Sequence, residues 1–188
     1  VLTGLHHAHE LRDFDGTPLE IVHRDIGPRN VFVTYDGSVK VLDFGIATTT
    51  TNARAHTQTG EIKGTLTYMA PEQLHAAGVD RRADVFSVGC LLWEVAVGKR
   101  MWEGLTEHAL ILRLANGDIP RPGDHASIDP ELERIIVRAT ANDPGERYPT
   151  ALEFQRDLDA FVDRNGGRAP LRAIGSALAT AFAGERER

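Results

Sequence analysis

Apolar residues recur at helical spacing from the first position: Val1, Leu5, Ala8 and Leu11, with Leu2 widening the stripe. No Ser, Thr, Asp or Asn stands before them as a cap, so this helix is expected to belong to a longer chain. Asp15-Gly16-Thr17-Pro18 reads as a turn. Val31 to Thr34 and Ser38 to Leu42 flank Tyr35-Asp36-Gly37, which predicts a β-hairpin. Between residues 46 and 64, Thr, Gly, Asn and Gln dominate without periodicity, the pattern of a long loop. From about Arg82 onward the chain reads as helices. Ala83 to Val97 is apolar nearly all round, which predicts a central helix rather than a surface one. Thr106 caps a helix running to Asn116 with Gly117 as its stop, and Asp129-Pro130 opens one toward Ala139. Thr150 and Glu153 form a capping box for a helix to about Val162. Gly166-Gly167 then breaks the chain, and Leu171 to Phe182 is weakly amphipathic, with Leu171, Ile174, Leu178 and Phe182 on one face. The expected organisation is a main unit over residues 1–162 and a tail or linker over 163–188.

Composition narrows the function classes. The 188 residues carry 21 basic and 27 acidic side chains, a net charge of −6, which excludes a polycation that holds nucleic acid by neutralising phosphates. The single cysteine, Cys90, excludes a disulfide framework and a cysteine-rich zinc module, and reads as a small buried apolar residue. The longest apolar stretch, Val85 to Val97, is interrupted by Ser87, Gly89 and Glu94 and is too short to span a bilayer. No signal-peptide pattern opens the chain, so a cytoplasmic location is expected. His6 and His9 share a helix face with Glu10 nearby, a spacing that suits a metal, but no further ligand cluster accompanies them.

Three short patterns follow one another: His23-Arg24-Asp25 with Asn30 five residues after the aspartate, then Asp43-Phe44-Gly45, then Ala70-Pro71-Glu72. Each is weak alone, since a lone aspartate before a hairpin is more often a turn residue. In this order and at these spacings they resemble the catalytic loop, metal-binding triplet and activation segment of eukaryotic-type serine/threonine protein kinases, including the bacterial members. The resemblance covers about residues 1–162. It implies a protein-kinase-like C-terminal lobe, mainly α with a short β-hairpin, that works with ATP and magnesium on Ser/Thr hydroxyls of protein substrates. The N-terminal lobe, expected in cis ahead of Val1, would supply the Gly-rich loop and the strand lysine, neither of which occurs here. The isolated chain is therefore expected to have little or no kinase activity.

The resemblance also assigns roles. Asp25 orients the acceptor hydroxyl and takes its proton. Asn30 and Asp43 supply hard oxygen ligands to magnesium and so bind the nucleotide phosphates. The family usually has a lysine two residues after the catalytic aspartate, where Gly27 stands here. Arg29, four residues after Asp25, occupies the position where many tyrosine kinases carry an arginine, and is expected to replace that charge. Thr65 resembles the threonine that hydrogen-bonds the catalytic aspartate in serine/threonine kinases. Thr57 and Thr59 resemble activation-loop phosphothreonines, and Arg24 is the residue type that grips such a phosphate. Asp84 resembles the aspartate that holds the catalytic-loop backbone from below, and Glu72 with Arg147 the ion pair that locks the activation segment. His23, Phe44 and Gly45 are expected to be scaffold. Two further readings stay open: a non-catalytic interaction lobe, and a small-molecule phosphotransferase, against which Asp43-Phe44-Gly45 and the Gly64 to Glu72 segment argue.

Overall fold

Helix boundaries fall where capping residues stand. Thr106 accepts the amide of Ala109, Asp129 accepts those of Glu131 and Leu132, and Thr150 accepts that of Glu153. Gly98 and Gly117 close their helices in the left-handed conformation that glycine adopts without penalty. The computed structural model describes residues 1–44, 66–75 and 78–183. Among these lie α1 (Leu2–His9), β1 (Val31–Val33), β2 (Val39–Val41), α2 (Arg82–Val97), α3 (Glu107–Asn116), α4 (Pro130–Ala139), α5 (Ala151–Arg164) and α6 (Leu171–Ala181). The strands pair antiparallel with Val31 opposite Val41 and Val33 opposite Val39, so Tyr35-Asp36-Gly37 forms the turn. The architecture is a mainly α lobe with one hairpin.

The central position expected of residues 83–97 is what α2 occupies. Ala83, Phe86, Cys90 and Trp93 face one buried cluster with Met101, Trp102, Leu110 and Leu114. Val85 and Val88 face a second cluster with Leu2 and Leu5 of α1, Ile26, Ile135, Tyr148 and Phe154. Each large side chain so buried contributes about 1.5–3 kcal/mol. Gly89 lets α4 approach: a Cβ there would stand 2.9 Å from the Cβ of Ala139. No helix of the described residues is long and apolar enough to cross a membrane.

The first helix is shorter than its apolar stripe. Leu2, Leu5 and Ala8 are buried, but Leu11 lies beyond the helix end and is 37% exposed. Its carbonyl accepts the amide of Leu19, and Arg12 bridges Pro18, so the turn at Asp15–Pro18 is the tip of a small second hairpin. Backbone pairing across that hairpin outweighs continuation of the helical period.

Candidate active site

Residues 22–30 connect the small hairpin to β1, and their shape is imposed from three sides. Asp84, in the first turn of α2, is fully buried. Its carboxylate accepts the backbone N–H groups of His23 and Arg24, each at 2.8 Å, and lies 2.8 Å from Nε2 of His9. A buried carboxylate is tolerated only when hydrogen-bonded in this way, and the helix N-terminus favours its charge. Arg24 holds φ at 67°, a left-handed conformation costly for a side chain with a Cβ, which these bonds over-determine.

The second anchor is His23. Its Nε2 donates to the carbonyl of Leu42 at 2.8 Å and its Nδ1 accepts the amide of Asp25 at 3.3 Å. A carbonyl only accepts and an amide only donates, so the ring is the neutral Nε2–H tautomer. The Phe44 ring packs against it at 4.7 Å between centroids. Ile26 is buried in the core, so Asp25 lies on a short stretch pinned inward at His23 and at Ile26.

Third, Asn30 closes the loop on itself. Its Nδ2 donates to the main-chain oxygen of Asp25 at 2.7 Å and to Oδ2 of the same residue at 3.0 Å. Its backbone oxygen accepts the amide of Leu42 at 2.9 Å, the residue just before Asp43. Asp43 is exposed, with φ of 57°, in the left-handed region that aspartate tolerates better than most residues. The two amide protons of Asn30 are thus spent on Asp25, which leaves its carbonyl oxygen for a cation. With the Asp43 carboxylate one step beyond the paired Leu42, the donor set is hard oxygen, and it fits magnesium.

Asp25, Arg29 and Asn30 line one wall of a cavity of about 560 Å³, while Asp43 is not on that wall. Leu66–Tyr68 and residues of the α2–α3 connection, including Arg100 and Trp102, form the rest. The Tyr68 hydroxyl donates to Glu94 at 2.8 Å and accepts from Arg100 at 2.5 Å, and burial followed by the Glu94 contact pushes its pKa up. A Cβ at Gly27 would stand 3.2 Å from the Tyr68 ring. The position at which the sequence resemblance leads one to expect lysine is therefore in tight contact with Tyr68.

Glu72 and Arg147 form a two-pronged ion pair at 2.7 and 2.8 Å. The Arg147 guanidinium also donates to the carbonyls of Ala141, Asn142 and Arg82. Gln73, next to Glu72, donates to the carbonyl of Arg24 at 2.9 Å and ties this segment to the loop.

Several residues escaped the sequence reading. His9 stands out in the sequence only beside His6 and Glu10 as a metal spacing, Tyr68 only as part of the Gly64 to Glu72 segment, and nothing marks Gln73, Glu94 or Arg100. His9 does not join His6 and Glu10 at a metal: its Nε2 faces Asp84, and Glu10 pairs with Arg81. Among the described residues no group of three or more His, Cys, Asp or Glu is placed to hold one. Gly45, Thr57, Thr59 and Thr65 lie outside the described residues.

Comparison with known proteins points the same way as this geometry. The sequence matches the protein kinase domain over residues 1–157. It is 40% identical over 184 residues to the tyrosine-protein kinase MasK of Myxococcus xanthus, covering 97% of this chain and 28% of that protein. It is 37% identical over 152 residues to the serine/threonine-protein kinase PknB of Mycolicibacterium smegmatis, covering 80% and 24%. Against the serine/threonine-protein kinase PknL of Mycobacterium tuberculosis it is 35% identical over 166 residues, covering 87% and 39%. The chain thus spans between about a quarter and two fifths of these relatives' length.

Proposed function

Because the chain belongs to the protein kinase family, we propose that it supplies the catalytic loop of a longer kinase that transfers the γ-phosphoryl group of ATP to serine and threonine hydroxyls of proteins. The observation that carries this reading is the pair of hydrogen bonds from Asn30 Nδ2 to Asp25. They hold the aspartate and free the asparagine oxygen in one arrangement. Asp25, with Oδ2 restrained, takes the proton of the acceptor hydroxyl at its other oxygen. Asn30 and Asp43 would hold magnesium, and the chemistry that ion would supply when bound with ATP is neutralisation of phosphate charge. Arg29, on the same cavity wall as Asp25, takes over the charge that Gly27 does not provide. Thr65 positions Asp25, and Arg24 receives phosphorylated Thr57 or Thr59. His23, Phe44, Gly45, Asp84 and the Glu72–Arg147 pair act as scaffold. The other half of the nucleotide site belongs to the N-terminal lobe of the longer protein, so the 188-residue chain alone transfers little phosphate.

A tyrosine acceptor is the second reading. Arg29 at the cavity wall favours it, and the M. xanthus relative is named a tyrosine-protein kinase. Radiolabelled ATP, a generic protein acceptor and phosphoamino-acid analysis, applied to the chain joined to its N-terminal lobe, separate the two. Phosphoserine and phosphothreonine, lost in Asp25→Asn, support the first reading; phosphotyrosine supports the second. Labelling of an aminoglycoside in place of protein assigns a small-molecule phosphotransferase, and no labelling of either assigns an interaction lobe.

A further inference from the structure

The C-terminal helix lies on the hairpin in an unusual way. Gly175 is the one buried residue of α6, although Leu171 is 60% exposed and Phe182 43%. A Cβ at Gly175 would stand 2.1 Å from the backbone oxygen of Tyr35, and a Cβ at Gly37 2.0 Å from that of Leu171. Two glycines, one on each partner, therefore let the main chain of the helix meet the main chain of the turn directly. That turn is closed on itself, with the amide of Gly37 donating to Thr34 and that of Thr34 to Ser38, so it presents a firm surface. Gly166 and Gly167, at φ of 100° and 77°, redirect the chain between α5 and α6.

We propose that α6 is a strap on the β1–β2 hairpin, closed through Gly175 and Gly37 and hinged at Gly166–Gly167. It steadies the hairpin from its turn, while Asn30 and Asp43 flank the opposite, open end. Whatever draws the C-terminal segment away loosens the two strands between these residues. The strap itself is independent of the kinase reading, which matters only for what the hairpin carries.

Gly175 has ordinary helical geometry, so alanine there normally strengthens a helix. Here the added methyl collides with Tyr35, and the effect reverses. Hydrogen exchange on the 188-residue chain reads this directly. Gly175→Ala is expected to speed exchange of the Val31–Val41 amides by about tenfold while α2 amides stay unchanged, because local opening is separable from global unfolding. Gly175→Leu is expected to give a larger rise, and Ser176→Ala, on the exposed side, none. Unchanged hairpin exchange in both Gly175 variants, or an equal rise in α2, overturns the strap. Because the readout is amide exchange, absence of phosphotransfer in the unsubstituted chain joined to its N-terminal lobe bears on the kinase assignment alone.

Discussion

Nε2 of His9 lies 2.8 Å from Oδ2 of Asp84, inside the core and 75 residues away along the chain. The contact fastens the end of α1 to the start of α2 with the same carboxylate that fixes the backbone of His23 and Arg24. Nδ1 of His9 is buried with no hydrogen-bond partner among the described residues.

Removing that carboxylate orphans two backbone donors at once. Asp84→Ala is expected to destabilise the fold by roughly 3–5 kcal/mol, since each unsatisfied donor costs about 1–3. Asp84→Asn keeps one acceptor and is expected to lose less. Urea denaturation of the three proteins checks the order, and a loss below about 1 kcal/mol in Asp84→Ala would contradict the role given to this residue.

The Glu72–Arg147 pair makes a sharper demand. The Arg147 side chain is fully buried and Glu72 nearly so, at 0% and 13% exposure. Glu72→Ala leaves a guanidinium charge without its counter-ion and is expected to cost about 3–5 kcal/mol in the same measurement. An exposed pair such as Arg81–Glu10 serves as the contrast: Glu10→Ala should change stability by less than about 1 kcal/mol.

Gly27 and Tyr68 should be energetically coupled. Gly27→Lys, which supplies the lysine that the sequence resemblance leads one to expect, pushes its Cβ against the Tyr68 ring and is expected to cost about 1–3 kcal/mol. A double-mutant cycle with Tyr68→Leu should return a coupling of roughly 0.5–3 kcal/mol, whereas Tyr68→Phe, which keeps the ring, should return almost none. Equal couplings would place the crowding elsewhere.

Burial pushes the Cys90 thiol pKa up, with the Glu94 charge adding to it. The native thiol should therefore ignore a thiolate-selective reagent at pH 8 and react only on unfolding. The unfolded thiol deprotonates from about pH 8.5 while the folded one keeps its proton, so stability is full below that pH and declines above it, by up to about 1.4 kcal/mol per unit. Urea titrations across the alkaline range should show this slope, and Cys90→Ala should remove it up to the tyrosine range. Tyr68 and Tyr148, both raised by burial, add their own decline above about pH 10.

Much of the fold was readable because local signals agree. Thr106, Asp129-Pro130, Thr150 and Gly117 each announce a helix boundary through their own backbone chemistry, and the all-round apolar character of residues 83–97 demands a central helix. Leu11 misled because helical period says nothing of a competing hairpin. The site was legible as far as its motif residues reached. His9, Gln73 and Glu94 were not, because their partners lie 26 to 75 residues distant and no pattern of neighbours marks them. A side chain chosen by three-dimensional proximity leaves no trace in spacing.

The double-sided burial of α2 has a thermal corollary. The helix that delivers Asp84 to the loop also joins both apolar clusters, and the carbonyl of Arg82 meets the Arg147 side chain. Heating cannot soften the loop's lower anchorage while sparing the interior, because one element serves both. Melting followed at the loop and at the buried tryptophan Trp93 should therefore superimpose on a single curve.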